Sequence, residues 1–434
     1  MKHLPPLAAS VGFLLFGVGE IAVAQTQPQV IDDSQMKALS TTIGGANPLP
    51  TTRTVQHWFG STLNPNNGVT YGYNMVGANP NTCTGSGCSA AVTADIVPVN
   101  VVVEGMTFSG EDTLAATLAS PLFTANDFGS TPFATAAGAF PNTPALIRGP
   151  GGALSQNDAG VQLQEQDAVM RAQFNQTGSS TFHLMLNPVV HDAVTIVVPA
   201  GQAVLLQSGR GVIFADVNIK WWNTRVVNLL GSLGFVDPTN LTILITNNVV
   251  NFEGKNPLNC CVIGFHGTKN NGATNGQGNQ PVVTFAWASY LAPGVYARPN
   301  GGTDWAVQDI HPLSHEISEW ADDPFVNNTV QPWLTPTAPQ YGCSGLLETG
   351  DPVVGIGFAK GTNTFDQGPN PDGTQSADGS YHPEDEVHLP WFMRLAPNTV
   401  SEPTQSTSTN IGRYTFMGDL NPFPGFRQPA TGCQ

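Results

Sequence analysis

The chain has 434 residues, enough for one large domain or two, and carries a formal net charge of −16. Only 11% of its residues are charged, against roughly 25% in an ordinary soluble domain, while Gly (47) and Pro (35) are abundant. That balance excludes a nucleic-acid partner, whose phosphates the surplus acid would repel, and is compatible with divalent cations.

Lys2 and His3 open the chain, Leu7 to Val18 is apolar, and Ala22-Val23-Ala24 places small residues where a signal peptidase reads. Residues 1–24 are therefore expected to be a signal peptide cut before Gln25, and the protein to be secreted, extracellular or periplasmic. The apolar run is too short to cross a bilayer comfortably and no later stretch is longer, so no membrane span is expected.

Residues 25–52 read as a polar leader, and 53–188 as a β-rich N-terminal domain. Val69 to Val76 alternates apolar and polar, and Ala94 to Val103 is a long β-branched run, so both are expected strands. A short helix is expected over Asp112 to Leu122 and a loop over 126–158, which is rich in Gly, Pro and Ala. A second helix is expected over Asp158 to Phe174, with Val161, Leu163, Ala168, Val169 and Ala172 as its apolar positions. From 189 to 434 the pattern is more regular. Ala193–Val198, Gly211–Ala215, Leu241–Thr246, Val262–His266 and Val282–Tyr290 are expected strands. Asp216 is placed to cap a helix running from Val217 through Leu230. A further helix is expected over Asp309 to Asp322, followed by loops and short strands after Pro324. The fold class is α+β.

Six cysteines in a secreted chain imply disulfides. Cys83 and Cys88 flank a flexible Thr-Gly-Ser-Gly loop and are expected to bond. Cys260 and Cys261 are neighbours, and bonding to each other demands an unusual peptide geometry. They are therefore expected to part, one to Cys343 and one to Cys433. The spacing matches no cysteine-type zinc module.

The chemistry concentrates in the last helix. On a helix, His315 and Glu319 lie on one face one turn apart, so two donors can close on one ion, as in the HExxH arrangement of metalloproteases. Glu316, displaced by about 100° around the axis, is placed as the general base for a metal-activated water. Pro312 suits a first turn and Pro324 ends the helix, while Leu313, Ile317, Trp320 and Ala321 supply a docking surface. Glu319 stands where the second histidine of the motif belongs. His311, four residues before His315, offers an alternative imidazole pair, and His266 is a second alternative ligand.

Gly264-Phe265-His266-Gly267, His315-Glu316 with Glu319 and Asp323-Pro324, Glu348 with Asp351, and Trp221-Trp222 resemble the exordium-type phosphate-induced secreted proteins and a set of uncharacterised secreted bacterial proteins. The resemblance spans roughly 210–395. It implies a zincin-like half, with a mixed sheet and an active-site helix, in an extracellular or wall-associated protein. In the glutamate-ligand branch of the zincins a downstream Glu is the third metal ligand and a nearby Asp orients a ligand histidine. By that resemblance Glu348 is the third ligand and Asp351 stands behind the ligands.

Two functions follow as expectations. In one, a zinc-dependent peptidase holds its ion on His315, Glu319 and Glu348 and hydrolyses a peptide or protein substrate. In the other, a non-catalytic secreted or wall-associated binding protein keeps a calcium or vestigial metal site. Asp366, Asp372, Asp378 and Glu384 to Glu386 lie in a Gly/Asn-rich stretch suited to a solvated loop or to calcium. Tyr381-His382-Pro383 would supply a transition-state donor if that stretch folds over the cleft. Neither a phosphate-binding loop nor a Gly-x-Ser-x-Gly elbow is present.

Overall fold

The computed structural model describes residues 28–30, 39–40, 45–127, 162–174, 181–272, 274, 276–296, 306–335, 343–373, 379–395, 414–416 and 433. The expected signal peptide and most of the loop expected over 126–158 lie outside the described residues.

Continuous β-branched and aromatic runs make strands that are buried on both faces. Among the described residues they build a twelve-stranded mixed sheet. A hairpin outside that sheet comes first, β1 (His57–Leu63) and β2 (Thr70–Val76). The strands that matter for the site are β3 (Ser89–Val103), β4 (His183–Val190), β5 (Val194–Val197), β6 (Ala203–Gln207), β7 (Ile213–Asn218), β8 (Leu241–Asn247), β9 (Val249–Phe252), β10 (Cys260–Asn270) and β11 (Val282–Tyr290). Their order across the sheet is β6, β7, β9, β10, β11, β8, β3, β5, with β4 also on β3. β8 runs parallel to both β11 and β3, whereas β10 is antiparallel to β9 and β11. A final hairpin, β12 (Thr329–Leu334) with β13 (Cys343–Leu346), follows the motif helix.

Four helices flank these strands: α1 (Glu111–Ala119), α2 (Glu165–Gln173), α3 (Ile219–Ser232) and α4 (His311–Asp322). Alternation along β10 and β11 sends Phe265, Phe285 and Trp287 to one face of the sheet, where they pack with Trp222, Val226 and Leu230 of α3. The other face receives Leu313, Ile317, Trp320 and Ala321 of α4 against Ile243, Ile245, Ala288 and Tyr290. Trp320 Nε1 donates to Thr284 Oγ1 at 2.9 Å and so ties α4 to β11. From its outer side α2 closes the layer, Ser318 Oγ donating to Gln166 Oε1 at 2.7 Å. Every residue of α4 is buried.

Several expectations shift. Asp216 is not a helix cap, because β7 continues through it and pairs with β6 and β9 on its two sides. Asn218 takes the cap instead, its Oδ1 accepting from Lys220 N at 3.2 Å and Trp221 N at 3.3 Å. α2 is shorter than the helix expected from Asp158, since Gln162–Leu163 is extended and pairs with Asn126–Asp127. β10 is longer than Val262–His266 because its pairing with β11 reaches Asn270. The sequence reading names no strand at β4, β6 or β9. Strands from both sides of the boundary expected between 188 and 189 lie in the same sheet. No helix among the described residues is long and apolar enough to cross a membrane.

Disulfides are present, and one expected pairing holds: Cys83 bonds Cys88. The expected split of Cys260 and Cys261 does not occur. They bond each other across a cis peptide that brings their Cα atoms to 3.0 Å, and Cys343 bonds Cys433. The rejected geometry is therefore the one adopted, and it leaves β13 tied to the far C-terminus. Mass mapping of a non-reduced digest should find Cys343 and Cys433 joined in one species and no free thiol at Cys260 or Cys261. A species linking either of those two to Cys343 would contradict this connectivity.

Candidate metal centre

Four chain segments converge on the inner end of α4. From β10 come Gly264 and His266, on the face opposite Phe265 and therefore toward α4. The helix supplies His311, His315, Glu316 and Glu319. Glu348, Gly350 and Asp351 come from the turn after β13, and Glu384 from the stretch between 379 and 392. Those last two segments join each other, Val387 N donating to Thr349 O at 2.9 Å. Glu384 N donates to Ser314 Oγ at 2.8 Å, which fixes the outer segment to the helix.

Two groups of potential ligands result, each with its donor atoms within 4.8 Å of one another: His315, Glu319 and Asp351, and His266, Glu316 and Glu319. Such groups can hold a metal ion. In the first, His315 Nε2 lies 3.1 Å from Glu319 Oε1 and 3.9 Å from Asp351 Oδ1. In the second, His266 Nδ1 lies 3.5 Å from Glu316 Oε2 and 3.4 Å from Glu319 Oε2. Glu348 sits at the other end of the same imidazole, 3.9 Å from His266 Nε2. His266, His315, Glu316, Glu319 and Glu348 are each no more than 3% exposed. Asp351 is the most exposed of these groups, with 25% of its side chain accessible.

Buried atoms that lack an aligned hydrogen bond are open to coordination. Both ring nitrogens of His266, Nε2 of His315, Oε2 of Glu319 and both oxygens of Glu348 make no hydrogen bond of proper geometry. Stranded buried donors and acceptors cost about 1–3 kcal/mol each, more when charged, unless something coordinates them. Two glycines make the room. A Cβ on Gly264 would collide with the Glu316 carboxyl, and one on Gly350 with the His315 ring.

The electrostatics follow from packing carboxyls and imidazoles together. Burial lowers the affinity of His266 and His315 for a proton. Their carboxylate neighbours (Glu316, Glu319 and Glu348 for His266; Glu319 and Glu384 for His315) more than reverse this, and both pKa values rise well above the usual imidazole range. Burial pushes Glu319 up, but His315 and His266 overcome it and hold its carboxyl below the usual range. Glu348 is raised well above its usual range, first by burial and then by Glu319. Glu316 is raised by burial, with His266 opposing. A bound cation replaces the protons in this balance.

The structure brings together most of the residues singled out in the sequence, in altered roles. His315 and Glu319 share a face and a donor group. Asp351, expected behind the ligands, offers a carboxylate oxygen to the same group, and its backbone N–H donates to Glu319 Oε1 at 3.2 Å. Glu348, expected as third ligand, lies beside His266 instead. Glu316 turns its Oε2 to His266. His311 does not share an ion position with His315; it is held by Glu384 at 2.9 Å. Tyr381 donates to Ala116 O at 2.9 Å and His382 pairs with Asp309 at 2.6 Å, so neither faces the donor groups. Glu384, Asp385 and Glu386 are buried and form no solvated loop; Asp378 lies outside the described residues.

What the sequence reading missed is the contact of Glu384 with the helix histidines. Its Oε2 is 3.0 Å from His315 Nδ1 and 2.9 Å from His311 Nε2. Occupying Nδ1 leaves Nε2 of His315 free for an ion, the usual way a carboxylate orients a ligating imidazole. The dense His and acid content of Tyr381-His382-Pro383-Glu384-Asp385-Glu386-Val387-His388 was the available signal.

No family profile, curated protein or solved structure matches the chain.

If the group holds a divalent cation, Glu384→Gln should weaken its binding about 10–100-fold, the usual effect of losing such a partner. Competition against a chromophoric chelator measures it, and unchanged affinity would mean that Glu384 only packs against the helix.

Proposed function

We propose that the chain is a secreted zinc-dependent peptidase. The observation that carries this reading is the first donor group: His315, Glu319 and Asp351, their donor atoms within 4.8 Å of one another and buried except at Asp351. One imidazole with two carboxylates is a donor set that zinc accepts. Zinc held there would supply Lewis acidity to polarise a scissile carbonyl and make water more acidic.

The chain's own residues have the remaining tasks. Glu384 fixes the ring of His315. Glu316 takes a proton from water as its oxygen bonds to the peptide carbon, then returns it to the amine nitrogen as the C–N bond breaks. Burial raises the Glu316 carboxyl pKa toward working pH, which suits a group that must both accept and give a proton. The three disulfides and the N-terminal signal pattern support an extracellular or periplasmic setting.

One observation favours a second reading. Carboxylates outnumber imidazoles in both donor groups taken together, and hard oxygen donors suit calcium in a binding protein without catalysis. The two readings part at Glu316. In the peptidase, Glu316→Gln should lower hydrolysis of a quenched-fluorescence peptide mixture by about two orders of magnitude. One equivalent of zinc should stay bound, and the melting temperature should hold. Glu319→Ala should lose zinc and stability together, because a bound ion stabilises only the folded form. A wild-type protein that holds zinc in the first group yet cleaves no peptide would overturn the peptidase reading in favour of the binding protein.

A further inference from the structure

Glu319 offers its two carboxylate oxygens to two different imidazoles. Oε1 faces His315 Nε2 at 3.1 Å, and Oε2 faces His266 Nδ1 at 3.4 Å. The second side has its own third donor, Glu316 Oε2, 3.5 Å from the same His266 nitrogen. These separations are informative. An N–H···O hydrogen bond spans about 2.7–3.2 Å. Two donors held at about 2.0–2.1 Å from one tetrahedral ion stand roughly 3.3–3.4 Å apart. The His266 distances fit a shared ion better than a hydrogen bond, and neither ring nitrogen of His266 makes a properly aligned one.

The charge points the same way. Glu316, Glu319, Glu348, Asp351 and Glu384 crowd around three imidazoles, and their ion-pair partners among the described residues are histidines. Imidazoles give up their protons when they ligate, which leaves these buried carboxyls dependent on cations or on protons of their own. Isolated buried charge of this kind is costly unless paired or coordinated.

We propose that the chain has a second cation position, made by His266, Glu316 and Glu319 and joined to the first through the Glu319 carboxylate, that takes a zinc-type divalent ion. It rests on the first-position reading given above. The two ions repel each other across one bridging carboxylate, so the second binds more weakly than the first. Its effect on hydrolysis follows from Glu316. The oxygen that would accept a proton is also the third donor of the second position. Filling that position removes the proton acceptor, so the second ion inhibits.

Titrating the metal-stripped full-length protein with zinc chloride, with binding followed by calorimetry and peptide hydrolysis in parallel, tests this. Wild type should bind two equivalents, with activity rising through the first and falling through the second. His266→Gln should bind one equivalent and lose the falling limb. Glu316→Gln, which keeps the shape of the side chain and removes its charge, should also bind one, with circular dichroism confirming that both variants are folded. One equivalent in wild type, or two in both variants, would overturn the second position. Two equivalents in wild type falling to one in the variants, without hydrolysis at any zinc level, would uphold the second position and overturn the peptidase reading. No binding at all would overturn both.

Discussion

Burying a helix along its entire length is simple when it is apolar and demanding when it carries five ionisable side chains. α4 is in that position: His311, His315, Glu316, Glu319 and Asp322 are all enclosed. Its apolar stripe is satisfied by β8 and β11, and Trp320 adds a hydrogen bond to Thr284. The other face must be answered by charge and by donors. Much of the architecture around it is that answer, since desolvated acids and imidazoles are tolerable only when paired or coordinated.

The answer comes in three layers. Beneath the helix, β10 brings an imidazole, His266, and a bare glycine, Gly264, whose missing side chain makes space for Glu316. Above it, the turn after β13 brings Glu348 and Asp351, and Gly350 leaves space for His315. Outermost, Glu384 holds His311 and His315 together through one oxygen. The Cys343–Cys433 bridge anchors β13, the strand that leads into the Glu348–Asp351 turn. This arrangement leaves ring nitrogens and carboxylate oxygens facing one another without an aligned hydrogen bond. With two imidazoles and three carboxylates within reach of one another, the group can hold a cation.

Legibility in the sequence tracked how local each signal was. The i, i+4 spacing of His315 and Glu319, the Pro312 start and the Pro324 stop are contained within one helix, and the helix is there over nearly the expected residues. Val282 to Tyr290 could be read because continuous burial leaves a continuous apolar run. β6 and β9 could not, since short strands with a polar residue gain their identity from neighbours in the sheet. Asp216 was mistaken for a cap because a cap needs only a local signal, whereas the strand through it depends on pairing with β6 and β9. Glu384 lies 69 residues from His315, and only the folded chain shows that its stretch covers the helix. The placement of Asp351 beside His315 and of Glu348 beside His266 was hidden for the same reason: both depend on contacts between distant segments. Cys260 and Cys261 illustrate the opposite error, where a geometric objection to neighbouring cysteines was allowed to decide a pairing.

The central claim is that the unpaired atoms around α4 are ligands. X-ray absorption at the zinc edge, on protein loaded with one equivalent, addresses it most directly. The account predicts a first shell of nitrogen and oxygen at about 2.0–2.1 Å, with the outer-shell scattering of one imidazole. It also predicts loss of that imidazole signature in His315→Ala. A shell of oxygens alone, identical in the wild type and in that variant, would show the ion bound elsewhere and contradict the account.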